Sequence, residues 1–279
     1  MKWNLVSDSS CDLAPEEFTG ENFTFSTAPL TVTAGGKDFV DLPGTDVDAM
    51  LAAHSASKLP SSSTCPSPEM WAEKFRLGDT TLAFTITGGL SGSYNSALVA
   101  RDIVLSEDPT KKIHVCNTRG AAGSLVLGLR RAKMLFESAL SFEEVVREIE
   151  TYMDGTHLLF SLSCFDNLIR TGRMSRIAGI MAGSLGIRPV AKNNEHGEIE
   201  VVGKPRGELS AIKYIIKTMG ELKKMEGRPV IVSHCKNEKS AKLIAAMAHD
   251  ELGTSDVTIM KMRVLNSYYA LPGGLIITF

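Results

Sequence analysis

The sequence predicts an α/β protein of two domains, in which the N-terminal domain has a mainly parallel sheet flanked by helices. Through the first half of the chain, short β-branched apolar runs alternate with segments of helical periodicity, a pattern typical of folds built on a parallel sheet. The order of elements changes near Thr156. The length of 279 residues also suits two domains. We therefore predict an N-terminal α/β domain at residues 1–158 and a C-terminal α/β domain at residues 159–279.

The first half is expected to begin with a strand at 3–6 and a polar loop at 7–12. Gly35 and Gly36 interrupt an alternating run, which predicts a hairpin within 23–40. Ser141 and Glu144 have the spacing of a capping box, so a helix is expected at 141–153. The other elements predicted here are helices at 46–54, from Pro68, at 94–105 and at 121–136, and strands from Thr81 and at 112–116.

The second half mixes strands and helices in a less regular order. Its predicted strands lie at 157–162, 187–191, 199–203, 229–234, 256–263 and 275–279, and its predicted helices at 166–170, 177–185, 208–224 and 237–252. The helix at 177–185 consists of small and apolar residues, which suits either plain core or the wall of a lipid site.

Composition excludes several classes of function. A net charge of -2, with no basic run, gives no electrostatic reason to expect nucleic acid as a partner. The five cysteines are scattered and the histidines lack ligand spacing, so we predict no metal site and no disulfide framework. No signal peptide and no run of membrane-spanning length is recognised, and the expected location is the cytoplasm.

A glycine turn between a strand and a helix is the first candidate binding site. At such a junction, the N–H groups of the first helical turn lack intrahelical partners, and the hydroxyls of Ser91 and Ser93 join them as donors. One interpretation is a seat for a carboxylate or phosphate. The other is that Ser93 only caps the helix and that Gly88 and Gly89 only make the turn.

Other polar loops offer further candidates. Residues 59–68 combine prolines with Ser and Thr, which predicts an irregular loop rich in hydroxyls. Arg173 follows a glycine and Arg206 precedes one, both in predicted loops, and either arginine could bind an anion. At the end of the first strand, Asp8 and Asp12 could face a ligand or hydrogen-bond neighbouring backbone.

Covalent chemistry has less support from the residues. The segment at 88–92 differs from the nucleophile elbow of serine hydrolases, because residue 93 is serine where the motif needs glycine. No base next to Cys65 can be named from the sequence. A small-molecule hydrolase or transferase using Ser91 or Cys65 remains the alternative hypothesis.

Six sequence fragments in order resemble the DegV family of bacterial fatty-acid-binding proteins. They are Val6-Ser-Asp-Ser-Ser-Cys-Asp-Leu13, Ser63-Thr-Cys-Pro-Ser-Pro68, Leu90-Ser-Gly-Ser-Tyr-Asn-Ser-Ala97, Asn167-Leu-Ile-Arg-Thr-Gly-Arg-Met174, Gly183-Ser-Leu-Gly-Ile-Arg-Pro-Val190 and Leu271-Pro-Gly-Gly-Leu275. The resemblance implies two α/β domains with a long-chain fatty acid buried between them. It also implies a protein that is not an enzyme, needs no cofactor, and carries the acid to a separate fatty acid kinase.

The resemblance also implies a set of ligand-binding residues. Ser63 and Ser91 match the family's hydroxyl ligands of the carboxylate, and Gly92 follows in the same turn. Arg206 falls where some members have an assisting arginine. Tyr269 occupies the position of the family's histidine, and a tyrosine can donate a hydrogen bond but cannot become a cation near neutral pH.

We therefore predict a carrier that binds a long-chain fatty acid in a buried tunnel and presents the carboxylate to a fatty acid kinase. Transient contact with a membrane is compatible with this function. Because of Tyr269, a carrier of a different anionic lipid is a further alternative.

Overall fold

A computed structural model describes residues 2–174 and 186–279 of the chain. The predicted helix at 177–185, proposed as a tail contact, lies outside the described residues. No helix within those two ranges is long and apolar enough to cross a membrane. The strands are β1 Trp3–Asp8, β2 Phe23–Ala28, β3 Thr31–Ala34, β4 Lys37–Val40, β5 Ser62–Thr64, β6 Thr80–Thr85, β7 Lys112–Asn117, β8 Leu158–Ser161, β9 Val190–Asn193, β10 Ile199–Gly203, β11 Val230–His234, β12 Val257–Lys261 and β13 Leu275–Thr278.

The described α-helices alternate with these strands. They are α1 Val47–Ala56, α2 Pro68–Arg76, α3 Ser93–Glu107, α4 Gly123–Leu135, α5 Phe142–Asp154, α6 Asp166–Arg170, α7 Glu208–Leu222, α8 Glu238–Leu252 and α9 Val264–Ala270. The capping box predicted for α5 is present, because Ser141 and Glu144 hydrogen-bond each other's backbone N–H groups.

The first sheet has the order β2-β1-β6-β7, and all of its strands are parallel. Successive side chains of a strand point to opposite faces, so Val6 packs with α2 and α3 whereas Leu5 packs with α4 and α5. A sheet covered on both faces buries every position, which is why β1 and β6 are buried throughout. The predicted parallel sheet flanked by helices is confirmed.

The second sheet is mixed, with the order β10-β9-β8-β13-β11-β12. Only β11 and β12 are parallel, and the other four pairs are antiparallel. One face packs against α7 and α8 through residues such as Leu159 and Ile277. The opposite face, which carries Phe160 and Ile276, lines a cavity between the two sheets. β8 begins at Leu158 and pairs only within this second sheet.

A small antiparallel sheet of order β4-β3-β5 joins the two larger sheets. Its hairpin turns at Gly35 and Gly36, both with positive φ, as predicted. Its buried residues Leu30 and Val32 share a core with Phe160 of β8 and Tyr268 of α9. The sheet therefore packs against the C-terminal half of the chain although it belongs to the N-terminal half.

Two of the differences from the predictions concern elements that carry site residues. The loop at 59–68 was expected to contain no regular structure, and this was wrong at β5, where Ser63 lies opposite Val32 of β3. Helix α9 was not predicted. Both elements are short and depend on partners distant in sequence, so their own residue pattern carries little signal.

Candidate functional site

A cavity lies where the carboxyl ends of β6 and β7 face the second sheet. It contains about 790 Å³ of space not filled by atoms, counting its opening to solvent. Its walls are mainly aliphatic and aromatic. The apolar lining includes Leu30, Ile86, Leu90, Leu158, Phe160, Leu162, Leu168, Leu265 and Ile276.

Ser63 and Tyr269 meet at this cavity from distant parts of the chain. Ser63 is in β5, Tyr269 is in α9, and their side-chain oxygens share a hydrogen bond of 2.8 Å. The guanidinium of Arg173 lies 5.9 Å from the centre of the Tyr269 ring, in cation–π contact. Two hydroxyls and a guanidinium therefore form a polar cluster at an otherwise apolar cavity.

Ser91 also lines the cavity, and the turn that carries it is fixed by Asp8. The Asp8 carboxylate accepts hydrogen bonds from the Ile86 N–H at 2.8 Å and from the Ser93 hydroxyl at 2.7 Å. Ser91 accepts a hydrogen bond from the Ser93 N–H at 3.2 Å, which leaves its own hydroxyl hydrogen able to donate. Asp8 thus holds the end of β6 and the start of α3 in place around Ser91.

The proposal that Ser93 only caps α3 is wrong. Ser93 is the first residue of the helix, its hydroxyl donates to Asp8, and the capping position is Gly92, which has no side chain to cap with. Burial is the main cause of a raised pKa at Asp8, and the hydrogen bonds from Ser10, Ile86 and Ser93 oppose it.

The other predicted site residues lie at different distances from the cavity. Gly92 is exposed, and a side-chain carbon at this position would lie 3.3 Å from the Cys65 sulfur, so the turn carrying Ser91 is close to the segment carrying Ser63. Arg206 is exposed, follows β10, and bridges to the backbone of Ile187. It is not among the described residues that line the cavity. The structure thus brings Ser63, Ser91 and Tyr269 together but not Arg206.

Of the two arginines that lie beside glycines, the fold brings Arg173 to the cavity, which Arg119 also lines. The sequence marks both Arg173 and Arg206 as arginines beside glycines, and nothing in either loop separates them. Arg173 is half-buried, and its side chain donates to the backbone oxygens of Leu90 at 3.2 Å and Thr171 at 2.9 Å. Within residues 2–174 and 186–279, no carboxylate lies within ion-pair distance of it. The sequence signal that could have identified Arg173 as a site residue is its position in the fragment 167–174, which resembles the DegV family.

A buried polar network holds α9, and with it Tyr269, in place. The Asp41 carboxylate accepts hydrogen bonds from the N–H groups of Val264 and Leu265 at 3.2 and 3.3 Å, so it caps a helix that has no cap of its own. Asp12 accepts from the Arg263 N–H at 2.8 Å and from the Asn266 side chain at 2.9 Å. The loop after β1 and the segment after β4 therefore both anchor the start of α9.

The burial of Asp12 is expected to make folding stability depend on pH. Removal from water raises the pKa of this carboxyl from 3.8 to about 8, against opposing hydrogen bonds from Arg263 and Asn266. The folded state then holds a proton more tightly than the unfolded state, so this contribution to stability is present below the unfolded pKa and is lost as pH rises through the folded pKa. Asp8 and Asp41 also have pKa values raised mainly by burial and act in the same direction.

We expect Asp12 to lower the melting temperature of the ligand-free protein between about pH 5 and about pH 8, whereas His54, His157 and His234, whose pKa values are lowered mainly by burial, act in the opposite direction. The melting temperature of the Asp12→Asn variant should therefore fall less, relative to wild type, as the pH rises through this range. Differential scanning calorimetry at constant ionic strength measures both melting temperatures. Parallel curves of melting temperature against pH for the wild-type protein and the variant would show that Asp12 does not cause this pH dependence.

A family profile matches nearly the whole chain. The profile of the DegV family of uncharacterised proteins covers residues 2–277. The chain belongs to the DegV family. A DegV domain-containing protein of Streptococcus pneumoniae (strain ATCC BAA-255 / R6) is 34% identical over 279 residues, which is 100% of this chain and 99% of the relative. A similar DegV domain-containing protein of Streptococcus pyogenes serotype M1 has the same identity and coverage.

Solved DegV structures have the same fold. The fatty acid kinase (Fak) B3 protein of Streptococcus pneumoniae, loaded with linoleic acid, has a TM-score of 0.95 and 34% identity, and the match covers 100% of this chain and 99% of that one. A DegV family protein of Eubacterium eligens, loaded with heptadecanoic acid, has a TM-score of 0.92 and 33% identity over 99% and 98% of the two chains. These matches confirm the predicted family and fold class.

Proposed function

We propose that this DegV protein binds a long-chain fatty acid in the cavity between its sheets and carries it to a fatty acid kinase. The observation that carries the proposal is a mainly apolar cavity with a polar cluster of Ser63, Ser91, Tyr269 and Arg173 on its lining. Related proteins of known structure hold linoleic and heptadecanoic acid. An aliphatic chain with an acidic end matches both parts of this lining.

The apolar walls supply the affinity. Each methylene removed from water contributes roughly 0.8 kcal/mol, so a long acyl chain offsets the entropic cost of binding. The carboxylate is the costly part of the ligand, because burying a charge without partners is strongly unfavourable. Donors are therefore needed where the carboxylate lies, and the polar cluster supplies them there.

We assign the carboxylate to Ser63, Ser91 and Tyr269, with Arg173 as the positive charge. The hydroxyl of Ser91 is free to donate, and the Ser63–Tyr269 pair can orient a second hydroxyl hydrogen towards the ligand. Tyr269 replaces the histidine that the family resemblance implies, so it contributes no cation. Arg173, in contact with the Tyr269 ring, supplies one instead. Gly92 contributes backbone to the same turn, and Arg206 has no part in this assignment.

A carrier agrees better with the lining than a hydrolase or transferase does. A nucleophilic serine needs a base within hydrogen-bond reach. The described residues lining the cavity include no histidine, lysine or cysteine. Glu198 is the carboxylate among them, and within the described part of the chain the Ser91 hydroxyl oxygen has the Ser93 N–H, not Glu198, as its hydrogen-bond partner. Cys65 makes its side-chain contact with the Ser96 hydroxyl, at 3.9 Å. We therefore propose that the chain binds the acid without transforming it.

Identifying the ligand of the purified protein tests this function. The protein is purified from cells, extracted with organic solvent and analysed by mass spectrometry against its molar concentration. A stoichiometric fatty acid is the expected result. A stoichiometric lipid with another head group would instead favour the alternative of a different anionic lipid, and a protein that neither retains nor takes up any lipid would refute both.

Transfer to a kinase is tested separately. The loaded protein is mixed with a bacterial fatty acid kinase and ATP, and the bound acid is followed by mass spectrometry. ATP-dependent loss of the acid, with formation of acyl phosphate, is expected. If binding is normal but no kinase consumes the acid, the carrier assignment is wrong while the binding assignment remains.

Replacing Ser91 with alanine is expected to weaken fatty acid binding by about ten- to hundredfold, since a hydrogen bond to a charged group contributes roughly 1.5–3 kcal/mol. Calorimetric titration of delipidated protein gives the affinity. Ser96→Ala is the matched control, because Ser96 lies on the helix that follows Ser91 and is not among the described residues that line the cavity. Equal affinities for the two variants would contradict the assigned position of the carboxylate.

A further inference from the structure

Away from β5, the cavity is bounded by residues that also face a second cleft, and this boundary is called the partition here. In the first sheet, β7 is one edge, and β2, which leads into the small sheet carrying Ser63, is the other. Arg119 and Gly120, which follow β7, and Asn193, at the end of β9, line the cavity on the β7 side. Ser63 and its partner Tyr269 therefore lie towards the β2 edge of the sheet, and the partition lies towards the β7 edge.

A second, polar cleft lies directly behind this partition. Arg119 and Asn193 line both the apolar cavity and the cleft. The cleft has an open volume of about 1200 Å³ and is otherwise lined mainly by polar residues, with Met153 and Leu222 as apolar members. The residues Arg119 and Asn193 thus lie between the acyl cavity and an open cleft.

The side chain of Asn193 holds the partition together. Its oxygen accepts a hydrogen bond from the N–H of Leu158 at 3.0 Å, and its nitrogen donates to the backbone oxygen of Arg119 at 3.0 Å. The amide therefore bridges the start of β8 in the second sheet to the loop after β7 in the first. Because both of its polar ends are engaged, it cannot swing aside without breaking a bond at a half-buried position.

A second contact braces the same partition. The Thr87 hydroxyl donates to the Gly197 backbone oxygen at 2.9 Å, and the Thr87 N–H donates to the Gly120 oxygen at 2.8 Å. Gly197 has a φ of +73°, and a side-chain carbon there would lie 2.0 Å from the Thr87 hydroxyl oxygen. This packing leaves no space for the wall to shift towards the cavity.

We propose that Asn193 closes the tail end of the acyl cavity and sets the longest chain that the protein binds. The proposal rests on the fatty-acid-binding function proposed above. A chain that reaches the amide can extend only by breaking its two hydrogen bonds, whereas shorter chains gain affinity with every methylene. Affinity should therefore rise with chain length and fall beyond a limiting length.

Shortening Asn193 should open the cavity into the cleft. Each additional covered methylene raises affinity about fourfold, so an acid two methylenes beyond the wild-type limit should bind the Asn193→Ala variant more than about tenfold more tightly than it binds wild type. Met153 and Leu222 provide apolar surface for the extended tail. Acids shorter than the limit should bind both proteins with similar affinity.

The test is a titration of delipidated protein with a homologous series of straight-chain fatty acids. Asn193→Ser is measured beside Asn193→Ala, so that the result does not depend on one variant folding well. Asn237→Ala is the control, because Asn237 is also half-buried and its side chain also makes two hydrogen bonds, to Glu208 and to the Gly273 oxygen, away from both cavities.

The expected result is a longer limiting length in both Asn193 variants and the wild-type limit in Asn237→Ala. If both Asn193 variants fold, bind fatty acid and keep the wild-type limit, the inference is overturned and the binding function is unaffected. If wild type binds no acid of any length, the proposed function itself fails. The melting temperatures of Asn193→Ala and Asn237→Ala show whether a changed limit follows from lost stability alone.

Discussion

The Arg263→Met variant is expected to lose about 3–5 kcal/mol of unfolding free energy, the usual effect of removing one partner from a buried charge pair. Arg263 is 14% exposed, and its guanidinium donates to the backbone oxygens of Leu13 at 2.8 Å and Asp41 at 2.7 Å. Its Nε also lies 3.4 Å from the fully buried Asp41 carboxylate. Methionine fills similar space but removes the donor to the two backbone oxygens and the ion-pair partner of the Asp41 carboxylate, which then keeps only the N–H groups of Val264 and Leu265.

Urea unfolding of the ligand-free protein measures this effect. Arg101→Met is the control, because Arg101 pairs with Asp102 at the surface and exposed ion pairs contribute about 1 kcal/mol or less. Similar losses in the two variants would show that the Arg263 network does not stabilise the fold. Because α9 begins directly after Arg263 and carries Tyr269, we also expect weaker fatty acid binding in Arg263→Met.

The regular elements could be predicted because their signals are local. Helix α5 was expected at 141–153 and is found at Phe142–Asp154, since a capping box and a strong apolar stripe both lie within its own residues. The parallel order of the first sheet follows from the alternation of buried strands with helices. The hairpin turn at Gly35 and Gly36 needs positive φ, which glycine adopts without strain.

The elements that complete the site could not be predicted in this way. Helix α9 has seven residues and is capped by Asp41, more than two hundred positions earlier in the chain. Strand β5 exists because Ser63 pairs with Val32 of β3. Their formation depends on tertiary contacts, and a local pattern does not contain these contacts.

The residues of the candidate site also differ in whether local sequence could predict them. Ser91 could be located from its turn, because a strand, glycines and a helix start are adjacent in sequence. Arg173 and Arg206 have equivalent local surroundings, and only the fold places one at the cavity and the other after the edge strand β10. The positive charge near the proposed carboxylate position was therefore the least predictable part of the site.

The Ile276→Trp variant should separate loss of ligand binding from loss of stability. Ile276 lies on β13, beside Phe160 of β8, and both line the floor of the cavity. An indole at this position would occupy space needed by the acyl tail. Excluding about four methylenes costs roughly 3 kcal/mol, so binding of a long-chain fatty acid should weaken by about a hundredfold or more.

The stability of this variant should change in the opposite direction, because filling a cavity with apolar volume usually stabilises a protein by about 0.5–2 kcal/mol. Calorimetric titration and thermal unfolding of delipidated protein give the two quantities, and Ile276→Val is the control that keeps the space open. Wild-type affinity in a folded Ile276→Trp protein would mean that the tail lies elsewhere. Loss of both affinity and stability would mean that the indole ring does not fit at this position of the sheet. In that case Phe160→Trp, on the neighbouring strand β8, repeats the test on the same wall of the cavity.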